Sequence, residues 1–401
     1  LAGPPVLKID LRYDIILVGG GLANGLLAYC LKRTRPDLRI LLLEAQDVLG
    51  GNHTWSFHRS DVEDAPWLAP LITTAWERYE VRFPAVKRQL EGGYASIQSS
   101  TFHRELAREL AQSVLLGHAI THLARNSVTL RDGVELQARC VIDGRGNRDL
   151  TSPEMGFQKF LGWELETKEP HGLEAPILMD ACVPQLDGFR FLYVLPFSDR
   201  RLLVEDTRYS NSPALHEPAL RSEIAKYCEQ QGWQIGKYER EEKGVLPIPY
   251  FPPGGIAANG IPAIGMAGGF FHPVTGYSLP LAVKIANGLS RLPVLDNHSV
   301  AAWLAAFRAR YKSQFQFLCF LNRMLFEAAD PAERYQVLQH FYRLPEQTIE
   351  RFYGARLRST DYLRILSGRP PVPVHKALRC IRTRKPNRVT LHLPTMTPTD
   401  E

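Results

Sequence analysis

The chain has 401 residues, 45% hydrophobic and 22% charged, with a formal net charge of +6. That composition is globular and long enough for two subdomains sharing a core, which argues against a disordered or low-complexity protein. Its six cysteines form no CxxC pair, so neither a disulfide framework nor a metal site is expected, and a reducing compartment is.

No apolar run approaches the length of a membrane span, and the first residues, LAGPPVLKIDLR, lack the apolar core of a signal peptide. The expected location is therefore the cytoplasm. Charge is unevenly spread: residues 301–401 hold 17 Lys plus Arg against 8 Asp plus Glu. A nucleic acid, an anionic membrane surface or a solvated helical face would each suit this basic end. No helix-turn-helix, finger or RNA-binding signature accompanies it, so nucleic acid is not the expected partner.

The first element in the chain is YDIILVGGGLANGLLAYCLKRTRPDLRILLLE, residues 13–44. An apolar run at 15–18 ends in Gly19, Gly20 and Gly21, after which Leu22, Leu26, Leu27 and Leu31 recur at helical spacing. A second run, 40–43, ends in Glu44, twenty-three positions after Gly21, where such units place the acid that binds a ribose hydroxyl. The pattern predicts a dinucleotide site. Gly19 allows the tight turn, Gly21 lets the backbone approach a pyrophosphate, and the helix start at Leu22 and Ala23 offers free N–H groups. Asn24 stands where a third glycine is usual, so the helix is expected slightly further from the sheet.

Beyond Glu44, Gly50 and Gly51 form a second glycine turn, followed by His53, Trp55 and His58. An acid followed by a glycine pair is common in FAD proteins of the glutathione-reductase type, which cradle a larger cofactor than a plain NAD site. His53 is either a contact to flavin or substrate, or a hydrogen-bonded loop residue. An amphipathic helix is predicted over 101–113, with Phe102, Leu106 and Leu110 on one face. Asp132 and Gly133 mark a hairpin turn, and an apolar strand then runs into Asp143 and Gly144, returning the chain to the cofactor edge. Residues 1–148 are expected to form the first part of the nucleotide domain.

Residues 149–250 change character to alternating aromatic and apolar strands, the pattern of an antiparallel substrate sheet. A helix at 213–231, capped by Ser212 with Pro213 behind it, interrupts them. Over 251–295 a second glycine turn, with Gly265, Gly268 and Gly269, precedes a predicted helix at 276–289, whose start at Gly276 and Tyr277 can face an anion or a flavin edge. Met266 follows Gly265 where flavin proteins usually have Gly-Asp, so another group must reach the ribityl chain. Residues 296–401 read as a helical, aromatic and basic region, either core packing or a cap that meets lipid and admits an apolar substrate. The expected fold is thus α/β: a Rossmann-type FAD-binding domain, an antiparallel-sheet substrate domain and a C-terminal helical region.

Taken together, VGGGLANGLLA, GGNHTWSFH, VIDGRG, GFQKFLGWE, HGLEAPILMDA, LLVEDT, FHPVTGYSLPLAV, FLNRMLF and ILSGRPPVPV resemble the bacterial lycopene β-cyclase family of FAD-dependent carotenoid enzymes. Asn24 and the missing Gly-Asp pair look like the family's own pattern. The resemblance implies closure of β-ionone rings at the ends of lycopene, giving β-carotene through γ-carotene, and a peripheral site on the inner face of the membrane. It carries the family's catalytic carboxylate over to Glu205, with Asp206 beside it, and gives reduced FAD a role without net redox change. NAD(P)H would be the reductant.

Protonation of an end-group alkene makes a tertiary cation, the neighbouring double bond attacks it, and proton loss leaves the ring. A buried carboxyl keeps its proton, so Glu205 is the expected general acid; adjacent strand residues face opposite ways, so only one of Glu205 and Asp206 should meet substrate. Trp163, Tyr193 and Phe197 are candidate cation stabilisers, and His272 is either a base or a structural hydrogen-bond partner. From spacing alone the alternatives for Glu205 are a surface strand acid or a partner of Arg208. A flavin monooxygenase, a polyprenyl or carotenoid reductase, and a non-catalytic flavin or carotenoid carrier on the membrane share most of these features.

Overall fold

The computed structural model describes residues 12–146, 154–253, 260–367 and 374–381. The expected boundary at 148/149, the first eleven residues and the basic stretch beyond 381 lie outside the described residues. An open six-stranded sheet runs in the order Val114–Leu115, Ile40–Leu43, Arg12–Val18, Glu135–Asp143, Ser127–Leu130, Ile120–Leu123, parallel through the first four strands and antiparallel beyond. Its central strands carry continuous buried apolar runs, residues 15–18, 40–43 and 140–142, because both faces are covered there. Ile15, Leu17, Leu42 and Ile142 meet the helices Leu22–Thr34, Ser99–Leu110 and Leu279–Ser290. Ile16, Val18, Leu41 and Val141 pack with Val128 and Leu136 instead.

The second sheet has seven strands in the order Ile235–Pro249, Met155–Thr167, Arg201–Ser210, Phe189–Pro196, Ile177–Asp180, Tyr79–Phe83, Val86–Leu90. It is antiparallel except where Ile177–Asp180 runs beside Tyr79–Phe83. The outer face, through Leu161, Leu192, Leu202 and Val204, packs on Leu220, Ile224 and Tyr227 of the helix Glu217–Gln230. The inner face, through Phe191, Tyr193, Leu203 and Tyr209, belongs to a cluster with Phe315, Leu318, Phe352 and Tyr353 of the C-terminal helices. A short sheet of Thr54–His58, Tyr94–Gln98 and Thr74–Trp76 is inserted in sequence between two strands of the first sheet, Ile40–Leu43 and Val114–Leu115.

Three details differ from the sequence expectations. The hairpin Tyr79–Leu90 belongs to the large sheet, not to the nucleotide sheet its position suggested, because Val81 pairs with Met179. Ser212 does not cap the helix that follows it: its hydroxyl accepts from Ala214 N at 3.2 Å, and the helix begins at Glu217 with a proline in its first turn. The helix expected from Gly276 begins at Leu279, since Gly276 has φ +70°, outside the right-handed helical region.

Candidate active site

The glycine turn, the loop after Asp143 and the inner face of the large sheet enclose one cavity of about 540 Å³. Gly19, Gly21, Leu22, Ala23 and Glu44 line it at the first helix, and Gly50, Gly51 and His53 along the second glycine turn. Gly144 and the turn at Gly276 and Tyr277 complete this end. Gly19 has φ +96°, and a Cβ there would stand 3.0 Å from the Arg145 backbone, so the turn and the loop touch. At Gly21 no heavy atom lies within 4 Å of a Cβ position. That leaves open space against the free N–H groups of the helix start, a fit for a pyrophosphate.

Glu44 is fixed at this turn by its own backbone neighbours. Gly20 N donates to Oε2 at 2.6 Å and Gln46 N to Oε1 at 2.9 Å. The side chain of Gln158, which also lines the cavity, has a buried Oε1 with no hydrogen-bond partner. An open cradle, an anchored acid and an orphaned polar atom together fit a bound dinucleotide such as FAD.

Four residues expected to touch the cofactor do not line the cavity. Gly20 points into the protein, where a Cβ would meet Leu49 Cδ2 at 2.5 Å. Asn24 donates to Val18 O at 2.9 Å and Gly19 O at 3.0 Å, tying the helix to the strand end, and Gly144 cedes the volume it needs. Asp143 is occupied by Arg145, which donates to it through N, Nε and Nη2 at 3.1, 2.9 and 2.7 Å. Gly268 is packed within its own turn, where a Cβ would stand 2.3 Å from Ala263 O.

At the sheet end the register decides which side chains enter. Glu205 opposes Tyr193 on one side and Gly162 on the other, and it lines the cavity with Thr207, Tyr209, Phe160, Phe191 and Tyr193. Burial pushes its carboxyl well above the ordinary range; the charge of Glu242 adds to the rise and the hydrogen bond donated by Thr207 opposes it. Tyr193 donates to Ser56 Oγ at 2.7 Å, and Tyr94 Oη lies 3.1 Å from Tyr193 Oη and 2.6 Å from Tyr277 Oη. Burial raises all three phenols, so this chain of hydroxyls stays protonated.

The remaining candidates stand elsewhere. Asp206 faces the outer layer, where Arg190 Nε and Arg208 Nε each donate to it at 2.9 Å. Trp163 is on that outer face too, opposing Val204 and donating to Glu241 Oε2 at 3.0 Å. Phe197 sits beyond the end of its strand, its ring 6.4 Å from that of Trp76. Both ring nitrogens of His272 are engaged: Nε2 with Phe352 O at 2.9 Å, and Nδ1 accepting from Thr275 N at 3.2 Å. Burial brings its pKa down to about 4, which fits a structural imidazole and not a base exchanging protons with the cavity. Sequence reasoning missed Thr207, Phe160, Phe191 and Glu242. Alternation from Glu205 would have found Thr207; the others depend on register.

The family model described as lycopene cyclase protein matches residues 14–379. A lycopene beta-cyclase of Pseudescherichia vulneris is 46% identical over 382 residues, covering 94% of this chain and 98% of that protein. Among solved structures, a geranylgeranyl bacteriochlorophyll reductase-like protein of Thermoplasma acidophilum aligns with TM-score 0.63 at 13% identity, over 92% of this chain and 99% of its own. A probable FAD-dependent monooxygenase of Pseudomonas aeruginosa aligns with TM-score 0.57 at 18% identity, over 78% of this chain and 95% of its own. At these identities the two structures speak for the fold alone. The near full-length match in sequence speaks for more: the chain belongs to the lycopene cyclase family.

Proposed function

We propose that this protein is a lycopene β-cyclase, converting lycopene to β-carotene through γ-carotene by acid-catalysed closure of the ψ end groups with no net redox change. The observation that carries the reading is Glu205, a carboxyl whose pKa burial raises and which opens into an aromatic-walled cavity shared with the dinucleotide seat. Glu205 gives its proton to the terminal alkene of the end group, leaving a tertiary cation. The second double bond attacks, the ring bond forms, and a proton leaves the ring. One proton enters and one departs, so substrate mass is unchanged.

Phe160, Phe191 and Tyr193 exclude water from the cation and can each stabilise it by about 0.5–2 kcal/mol through their ring faces. The glycine turn, Glu44 and the Gly276 turn would hold FAD, which in its reduced anionic form supplies a negative charge to the same cavity. NAD(P)H is the reductant in this reading. Among the described residues no helix is long and apolar enough to cross a membrane. Exposed Leu363, Leu366, Leu378 and Ile381, interspersed with Arg364, Lys376 and Arg379 on the last two helices, favour peripheral contact with an anionic membrane, from which an apolar substrate is drawn.

The test is anaerobic incubation with lycopene in liposomes, with reduced FAD, oxidised FAD or none. Ring-closed product of unchanged mass, formed with reduced FAD only, is the expected result. Product heavier by two hydrogens, or by one oxygen once air is admitted, would replace the cyclase with a reductase or a hydroxylase. Salt-sensitive liposome binding with no product would leave a carrier.

A further inference from the structure

Glu205 has a second buried carboxylate across the sheet. Gly162 opposes Glu205 on one neighbouring strand and Glu242 on the other. Residues directly opposed across strands share a face, and the adjoining row, Thr207, Phe160 and Gly244, lines the cavity along its whole width. Glu205 and Glu242 are 8% and 3% exposed. Between them Gly162 presents only backbone; a Cβ there would stand 3.2 Å from Glu205 Cβ and 3.1 Å from Leu203 Cδ1. Gly162 itself puts no side chain between the two carboxyls.

The two carboxyls have different neighbours. Glu242 Oε2 accepts from Thr54 Oγ1 at 3.0 Å and from Arg240 Nη1 at 2.8 Å. Arg240 also binds Glu164 Oε2 at 3.0 Å, and Arg201 pairs with Glu164 from the other side. Among the described residues no cation pairs with Glu205: Thr207 donates to it, Tyr193 stands beside it, and Asp206 faces away towards Arg190 and Arg208. We propose that Glu242 is a positioning residue that keeps Glu205 protonated: Arg240 and Thr54 anchor it as the carboxylate, and its charge, acting across Gly162, favours the neutral acid on the cavity side. The pair then carries one proton, on the member that faces substrate. Burial raises both groups, but only Glu242 has an arginine to offset the rise.

The role in catalysis rests on the cyclase reading; the pairing itself does not. The test follows the infrared band of the protonated Glu205 carboxyl, assigned by its loss in Glu205→Gln, through a pH titration of wild type, Glu242→Gln and Glu242→Asp. Cyclisation rates are measured over the same range, with circular dichroism as the check on folding. In Glu242→Gln the titration midpoint and the basic limb of the rate should both fall, by about one pH unit. Glu242→Asp keeps the charge and should leave both near wild type. An unmoved or raised midpoint in Glu242→Gln, a shift in Glu242→Asp as large as in Glu242→Gln, or a loss of rate uniform across pH would overturn the proposal. The infrared midpoint needs no turnover, so the pairing can fail while the cyclase stands, or hold while the cyclase fails.

Discussion

Glu205 and Asp206 share a peptide bond and serve opposite sides of one sheet: the first opens to the cavity, and the second is fully buried against Arg190 and Arg208. Their removal should therefore have different consequences. Glu205→Gln is expected to abolish cyclisation while leaving the melting temperature near wild type. Asp206→Asn strands a buried arginine and should cost about 3–5 kcal/mol of stability, read by denaturant titration. Equal loss of stability in both variants would refute the division.

The hydrogen bond from Thr207 lowers the pKa of Glu205, against burial and Glu242, which raise it. Thr207→Val removes a bond worth about 1 kcal/mol. The carboxyl then holds its proton to higher pH, so the basic limb of the rate profile should move up by less than one unit while the maximal rate falls, because the acid is weaker. A downward shift would contradict this assignment.

Gly144 leaves room for the Asn24 side chain; a Cβ at Gly144 would lie 2.5 Å from Nδ2. Gly144→Ala should push Asn24 off the carbonyls of Val18 and Gly19 and distort the cofactor turn. Equilibrium dialysis with FAD should then show affinity at least about tenfold weaker, the equivalent of about one lost hydrogen bond.

His58 and His272 are buried neutral, their pKa values brought down by burial to about 3 and about 4. In the unfolded chain each titrates near its ordinary value of about 6.5. Above that value they cost nothing; as pH falls below it the unfolded state binds protons that the native state refuses, and stability drops by up to about 1.4 kcal/mol per group per pH unit. The raised carboxyls of Glu205, Glu242 and Asp61 act in the opposite sense, so the histidine effect is read as a difference between variants: in urea melts at pH 7.5, 6 and 5, His272→Asn should gain stability relative to wild type as the pH falls.

The nucleotide half of the fold was legible because its signals are local: an apolar run, three glycines and a helical stripe are neighbours in the chain, and the acid closes the same unit. The sheet half was legible in kind and not in register. Trp163 and Tyr193 read alike as strand aromatics, yet they face opposite ways, and only the opposition of Gly162 to Glu205 settles which is which. His272 looked available because its partner, the Phe352 carbonyl, lies far along the chain. Glu242 sits in EREEK, a run that reads as solvent-exposed until Arg240, Thr54 and the adjoining strand are placed around it.

The hairpin that crosses from one lobe to the other bears on how this protein is made. Val81 must wait for Met179 before the large sheet is complete, and Asp143 at the cofactor edge must wait for its bridge to Ala263. Pairings that join such distant positions are slow to form. A nascent chain leaving the ribosome would therefore carry an unfinished dinucleotide seat until Gly276 and Tyr277 had emerged.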